Sequence, residues 1–261
     1  GRSNGLPKEI QINSIEAHPY EAGGLYLAAT AYKSDDFRPY LFKTTDYGKH
    51  WEKITDGIPA DHFTRVIRAD SESKGLLFAG TESGIYVSTD DGQHWQSAQL
   101  NLPVVPITDL ALKQGNLIAA TQGRGYWILD DVTVLAQSNN PVFEQTQHLF
   151  EPTPAWRLRN GATEEPENMG SNPPAGVVLY YWLAKDHAAD SDISLEITES
   201  DGDVIRTFTA KPDKDSEDKK EILGDDDRKL DTSAGLNRHV WDMRYASVDR
   251  FKDLVLWNNS L

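Results

Sequence analysis

The chain has 261 residues, 38% apolar and 10% aromatic, room for one large or two ordinary packed domains. A formal charge of −15 repels phosphate backbones and anionic lipid, and no apolar run approaches the ~18 residues of a membrane span, so nucleic-acid and membrane partners are excluded. The absence of Cys removes disulfides, thiolate chemistry and Cys-ligated metals.

In chain order the first pattern is a repeat. Ile12-Asn13-Ser14-Ile15 corresponds to Phe63-Thr64-Arg65-Val66 and to Ile107-Thr108-Asp109-Leu110. A second strand follows at residues 24–30, 75–81 and 115–121, and a third at 40–43, 85–88 and 126–129. Then come two eight-residue boxes, S/T-x-D-x-G-x-x-W, 44 residues apart. Thr44, Asp46, Gly48 and Trp51 carry the first; Ser88, Asp90, Gly92 and Trp95 carry the second. In the third copy Asp131 keeps the Asp position, but Leu129, Thr133 and Ala136 replace Ser/Thr, Gly and Trp. A fourth strand starts at each box Trp. Four short strands per ~40–45 residues is the period of one propeller blade. The box reads as a hairpin device: its Asp accepts N–H groups within the turn, its Gly takes positive φ and its Trp covers the turn. These residues are therefore assigned to structure, with both Trp buried and the third copy weakest in its outer strand.

From residue 142 the pattern breaks into Pro and charged residues, read as a connector over 142–172. Strand signals return at 176–183, 192–197, 204–208 and 235–245, with Asp201-Gly202 as a hairpin turn. Between Asp186 and Asp231 lie 16 acidic and 7 basic residues, a solvated acidic stretch. Asp213, Asp215, Asp218 and Asp225 to Asp227 could gather Ca²⁺, but they lack a Gly-punctuated D-x-D-x-D-G loop, so no cofactor or metal is assigned.

On its repeats and boxes the chain resembles the BNR/Asp-box β-propellers: sialidases, xyloglucanase-type glycosidases and sortilin-like proteins. The resemblance implies an all-β fold. Residues 1–141 are partial propeller blades (10–58, 59–103 and 104–136), and residues 173–261 resemble an immunoglobulin-like or fibronectin-like β-sandwich lacking a final strand. Three blades do not close a ring. The resemblance thus implies partner blades from the same parent protein or a second chain and an extracytoplasmic (secreted or periplasmic) location; the first and third copies alternate like internal blades, without the polar substitutions of terminal caps, so apolar outer faces are expected on both.

In such propellers ligands bind at the mouth formed by the B–C and D–A loops, with the boxes at the opposite rim. The first B–C loop, residues 31–38, is enlarged by about seven residues relative to the second copy. Asp35, Asp36 and Asp61 are the catalytic candidates, because a glycosidase needs one carboxylic acid and a second carboxylate opposite. Arg38, His62, Arg65 and Arg124 are candidates for ligand binding. Two readings follow: a non-catalytic binding or scaffold module recognising glycan or peptide, and the C-terminal part of a glycoside hydrolase acting on polysaccharide. Facing loop carboxylates about 5–10 Å apart favour the enzyme. A mouth of aromatics and arginines without them favours binding.

Overall fold

The structure is a computed structural model that describes residues 5–138, 140–157, 174–188, 191–210 and 229–245. The chain divides into two units, Gly1–Asn139 and Asn140–Leu261. Described residues form small antiparallel sheets with few helices, and no helix is long and apolar enough to cross a membrane.

The first unit holds three antiparallel meanders. β1 (Gln11–Ala17), β2 (Leu25–Ala31), β3 (Asp36–Thr44) and β4 (Glu52–Lys53) make the first. β5 (Thr64–Ala69), β6 (Leu77–Thr81), β7 (Ile85–Ser88) and β8 (Gln96–Ser97) make the second. The third has only three strands: β9 (Ile107–Lys113), β10 (Asn116–Thr121) and β11 (Tyr126–Leu129). Beyond β11 the chain turns into the short helix α1 (Thr133–Gln137). The cause is local. Without Ser or Thr at Leu129 and Gly at Thr133, the third copy lacks the acceptor and the positive-φ residue that close the other two turns, where Gly48 has φ 78° and Gly92 φ 86°.

The first strand of each meander carries a bulge at the same place, between Ile12 and Ser14, between Thr64 and Val66, and opposite Ala120/Thr121. This aligns Ile12 with Thr64 and Ile107, correcting by one residue the match of Ile12 to Phe63. Likewise Gly23, not Gly24, corresponds to Gly75: Tyr47 N donates to Gly23 O as Asp91 N donates to Gly75 O, both at 2.9 Å. The Gly23-Gly24 doublet hid that slip, and in a strand one residue exchanges the two faces.

The sheets pack face to face. Tyr26, Ala28 and Leu41 of the first meet Ile67, Ala69, Leu77, Ala79 and Tyr86 of the second. Val66, Phe78, Ile85 and Val87 on its other face meet Ile107, Leu110, Leu117 and Ala119 of the third. The second meander is thus buried on both faces, which explains why β6 reads as a continuous apolar run and not as an alternation. The end faces differ. Leu27 and Phe42 on the first meander are buried, with Leu6, Ile10 and Trp51 packed against them, while Ile15 is 59% exposed. On the third, Tyr126 and Ile128 are 81% and 62% exposed. The outer face of the third meander is apolar and open; that of the first is largely covered.

The box Trp residues are not equivalent. Trp95 is buried in the first interface, its Nε1 donating to Ile54 O at 2.9 Å, whereas Trp51 is half-buried, a correction to the expectation that both are enclosed.

In the second unit β12 (Gln147–Leu149), β13 (Val177–Leu183) and β16 (Gly235–Trp241) form one sheet, and β14 (Ser194–Thr198) with β15 (Val204–Thr209) form another. They meet over Tyr181, Leu183, Phe208 and Leu230. Part of the stretch read as a connector belongs to this unit: it supplies α2 (Asn140–Glu144) and β12, which pairs with β13. The Ca²⁺-candidate residues Asp213, Asp215, Asp218 and Asp225 to Asp227 lie outside the described residues.

Trp95→Ala removes a buried indole and its hydrogen bond and is expected to cost about 3–5 kcal/mol. Trp51→Ala is expected to cost clearly less; chemical denaturation of the two variants checks the order.

Candidate functional site

The two box turns are built alike. In the first, the Thr44 hydroxyl donates to Asp46 Oδ1 (2.9 Å) and accepts from Gly48 N (3.1 Å), while Asp46 Oδ1 also accepts from His50 N (2.9 Å). In the second, Ser88, Asp90, Gly92 and His94 repeat the pattern at 2.8, 2.9 and 2.9 Å. The imidazole adds a bond: Nδ1 of His50 lies 2.6 Å from Asp46 Oδ2, and Nδ1 of His94 lies 2.7 Å from Asp90 Oδ2. Bonds from the His50 backbone and ring hold the Asp46 carboxyl well below the usual range. Partial burial raises Asp90, but the bonds from His94 and Ser88 outweigh it and its pKa also falls. The His94 imidazole is raised by its bond to Asp90. The sequence offered a signal for this, since both boxes place His at the position before Trp.

A second residue of the box, besides Trp95, reaches across the sheets. Asp91, at φ 63°, accepts from the Tyr26 hydroxyl and pairs with the Lys43 ammonium, both on the first meander. His18 stacks on Tyr26 (5.1 Å between centroids, 21°), with its Nε2 3.8 Å from Asp91 Oδ1. Burial, then the bond to Asp91, pushes the Tyr26 phenol up. On the inner strands Arg68 donates to Ser14 Oγ (2.8 Å), Leu110 O (2.9 Å) and Asp109 Oδ1 (2.7 Å), tying β1, β5 and β9 together.

All the candidate residues but Arg124 lie at the opposite end, around the β2–β3 and β4–β5 connections. Residues 31–38 are not the long loop expected. The strands extend, a single 3-10 turn spans Tyr32–Ser34, and Asp35 closes it at φ 61°. Register shifts between the pairs Ala29–Tyr40 and Ala31–Asp36, so Phe37, Arg38 and Pro39 bulge opposite Thr30. The insertion is spent on a longer, bulged hairpin. Asp36 takes both Arg38 Nε (2.9 Å) and the Tyr40 hydroxyl (2.7 Å), and its carboxyl is held low by the Arg38 bond and then the Tyr40 bond. Asp61 is exposed, 4.0 Å from His62 Nε2, and His62 Nδ1 lies 2.7 Å from the Tyr86 hydroxyl. Arg65 Nε donates to Glu82 at 2.7 Å. Arg124 lies apart, on the exposed β10–β11 turn. Among the described residues no three His, Asp or Glu gather to hold a metal ion.

What the nominations missed is an aromatic platform at the same end. Tyr32 stacks on Phe63 (5.1 Å, 18°), and Phe37 tilts against the same ring (6.1 Å, 53°). Phe63 is buried, while Tyr32 and Phe37 are 38% and 46% exposed. Arg65 lies 5.3 Å and Lys33 6.0 Å from the Phe63 and Tyr32 ring centres, so cations flank the apolar surface. Tyr32 and Phe37 were visible in the inserted segment; their convergence with Phe63, 26 residues beyond Phe37, was not.

No family model matches the chain, and no curated protein matches it. Among solved structures it is similar to YCF48 bound to D1 peptide, at 20% identity over 46% of this chain and 36% of that one, with a TM-score of 0.34. It is similar to the GH74 enzyme of Niastella koreensis, at 16% identity over 66% and 28%, TM-score 0.38. It is similar, too, to the GH74 xyloglucanase of Xanthomonas campestris, at 14% identity over 69% and 27%, TM-score 0.35. The chain thus spans little more than a third of the first of these proteins and less of the others, and the activities in their names are theirs.

Asp90→Asn is expected to lower the Tm most at neutral and mildly acidic pH. A carboxyl with a lowered native pKa contributes stability above its ordinary 3.8, and the contribution disappears as pH falls through the native value. The Tm gap between wild type and variant should therefore shrink below pH 3.8, a trend that melts across a pH series measure directly.

Proposed function

We infer that the chain is part of a non-catalytic binding module. The three meanders act as blades of an Asp-box β-propeller, and the platform of Tyr32, Phe37 and Phe63 at its mouth receives a glycan or peptide. The observation that carries this reading is the pairing of two exposed aromatic rings with a locked carboxylate. Exposed rings beside cations suit the C–H face of a sugar or an aromatic or Pro side chain of a peptide. A general acid for glycoside cleavage needs a raised pKa, so Asp36, held as an ionised carboxylate by Arg38 and Tyr40, is unsuited to the acid role of the two carboxyl groups. In this reading the box residues Asp46 and Asp90 maintain the turns at the far rim. The second unit serves as an immunoglobulin-like spacer, and further blades come from the same parent protein or another chain.

Glycan and peptide arrays probed with the parent protein test the reading. Tyr32→Ala and Phe37→Ala are expected to weaken capture about tenfold or more while leaving the Tm nearly unchanged, because both rings are partly exposed. Release of reducing ends from a polysaccharide, abolished by Asp36→Asn or Asp61→Asn in a folded protein, would replace binding with hydrolysis.

A further inference from the structure

The fourth strand completes the first and second meanders in the same way. Ile54 N donates to Leu41 O and Ala98 N to Ile85 O, each at 2.9 Å. By register the corresponding residue of the third meander is Tyr126, since Leu41, Ile85 and Tyr126 pair with Ala28, Gly80 and Ala120. Thr121 N donates to Gly125 O, and bonded pairs alternate along an antiparallel ladder. The main-chain groups of Trp127 and Leu129 therefore bond β10, while those of Tyr126 and Ile128 face the outer edge of β11. Sheet order places no described strand there.

Beside that edge lies an open cleft lined by Ala98, Leu102, Leu117, Ala119 and Trp127, with Leu100 at its rim. Its walls match, position for position, those that enclose Trp95 one interface earlier. Ile54 and Ile58 correspond to Ala98 and Leu102; Leu77, Ala79 and Tyr86 correspond to Leu117, Ala119 and Trp127. In the first interface Trp95 Nε1 donates to Ile54 O, and Ala98 O holds the corresponding place in the second. Leu135 and Ala136 of α1 pack against the same apolar cluster as Ala98 and Trp127, but no α1 residue lines the cleft itself.

We propose that the β11 edge and this cleft form a docking site for an extended segment of another polypeptide that carries a tryptophan. The segment adds as the fourth strand of the third meander through the backbone groups of Tyr126 and Ile128. Its indole enters the cleft and donates to Ala98 O. Main-chain pairing supplies part of the affinity, and the cleft selects the aromatic side chain. The site is separate from the aromatic platform, so its test is independent of the binding reading.

The probe is a fluorescein-labelled peptide copying residues 91–99 of this chain, compared with the same peptide bearing Ala in place of Trp95 and titrated with the full chain. Saturable binding is expected, weakened about tenfold or more by the Ala peptide. Ile128→Pro removes an N–H that faces the edge and not β10, so it should weaken binding while the thermal melt stays cooperative. Leu100→Asp, at a residue 74% exposed, gives a second variant should the first fail to fold. No binding at millimolar peptide, binding indifferent to the Trp, or binding unchanged in the folded variants overturns the proposal. A concentration-dependent dimer in sedimentation that the peptide does not displace would assign the edge to a second copy and likewise overturn it.

Discussion

Everything in the first unit depends on a sheet with no polar face. All five residues of β6 are buried, because the second meander is pressed between the first and the third. Such a sheet has no stable existence alone, and its neighbours must supply apolar surface at matching heights. The recurring bulge on β1, β5 and β9 sets that height, since it fixes which side chain of each inner strand turns toward which neighbour. The exposures of Ile15, Ile67 and Leu110 follow. These residues hold one structural position, yet Ile67 and Leu110 are enclosed and Ile15 is open, because only the first lacks a meander in front of it.

Polar groups then fix the alignment that apolar contact leaves loose. The Thr64 hydroxyl lies 2.8 Å from Ala29 O and accepts from Tyr40 N at 3.0 Å, so a buried residue of the second inner strand reads the backbone of the first meander. Arg68 does the same across three strands. These bonds are short and directional and sit in regions of reduced dielectric, where a mismatch leaves orphaned donors that cost about 1–3 kcal/mol each. They account for a definite stack where packing alone would permit sliding.

The box turns were legible in the sequence because their physics is local: Ser/Thr, Asp and Gly within five residues meet each other whatever the rest of the chain does. The half-burial of Trp51 was not legible, since the same motif letter meets a full neighbouring sheet at Trp95, whereas Trp51 lies with Leu6 and Ile10 against the end face of the first meander. Nor was the second-strand register, which rests on one hydrogen bond at a Gly doublet. At the β2–β3 and β4–β5 end, the sequence pointed to charged residues, and the structure ties three of them into ion pairs: Asp36 with Arg38, and Arg65 with Glu82. The platform escaped notice because Phe63 belongs to a different repeat from Tyr32 and Phe37, and only the stacking of meanders brings the three rings together.

The variable position inside the box has a consequence for how the repeats are ordered. Tyr47 and Asp91 occupy the same place in their turns, at φ 60° and 63°. Asp91 is complementary to Tyr26 and Lys43 of the meander before it, whereas Tyr47 is 75% exposed. In the second repeat that one residue works as an address read by the meander before it. Two repeats with identical boxes are therefore not interchangeable parts. Exchanging them would bring a phenol against a phenol and leave the Lys43 ammonium without its counter-charge, so a chain assembled from near-copies still has only one correct sequence of neighbours.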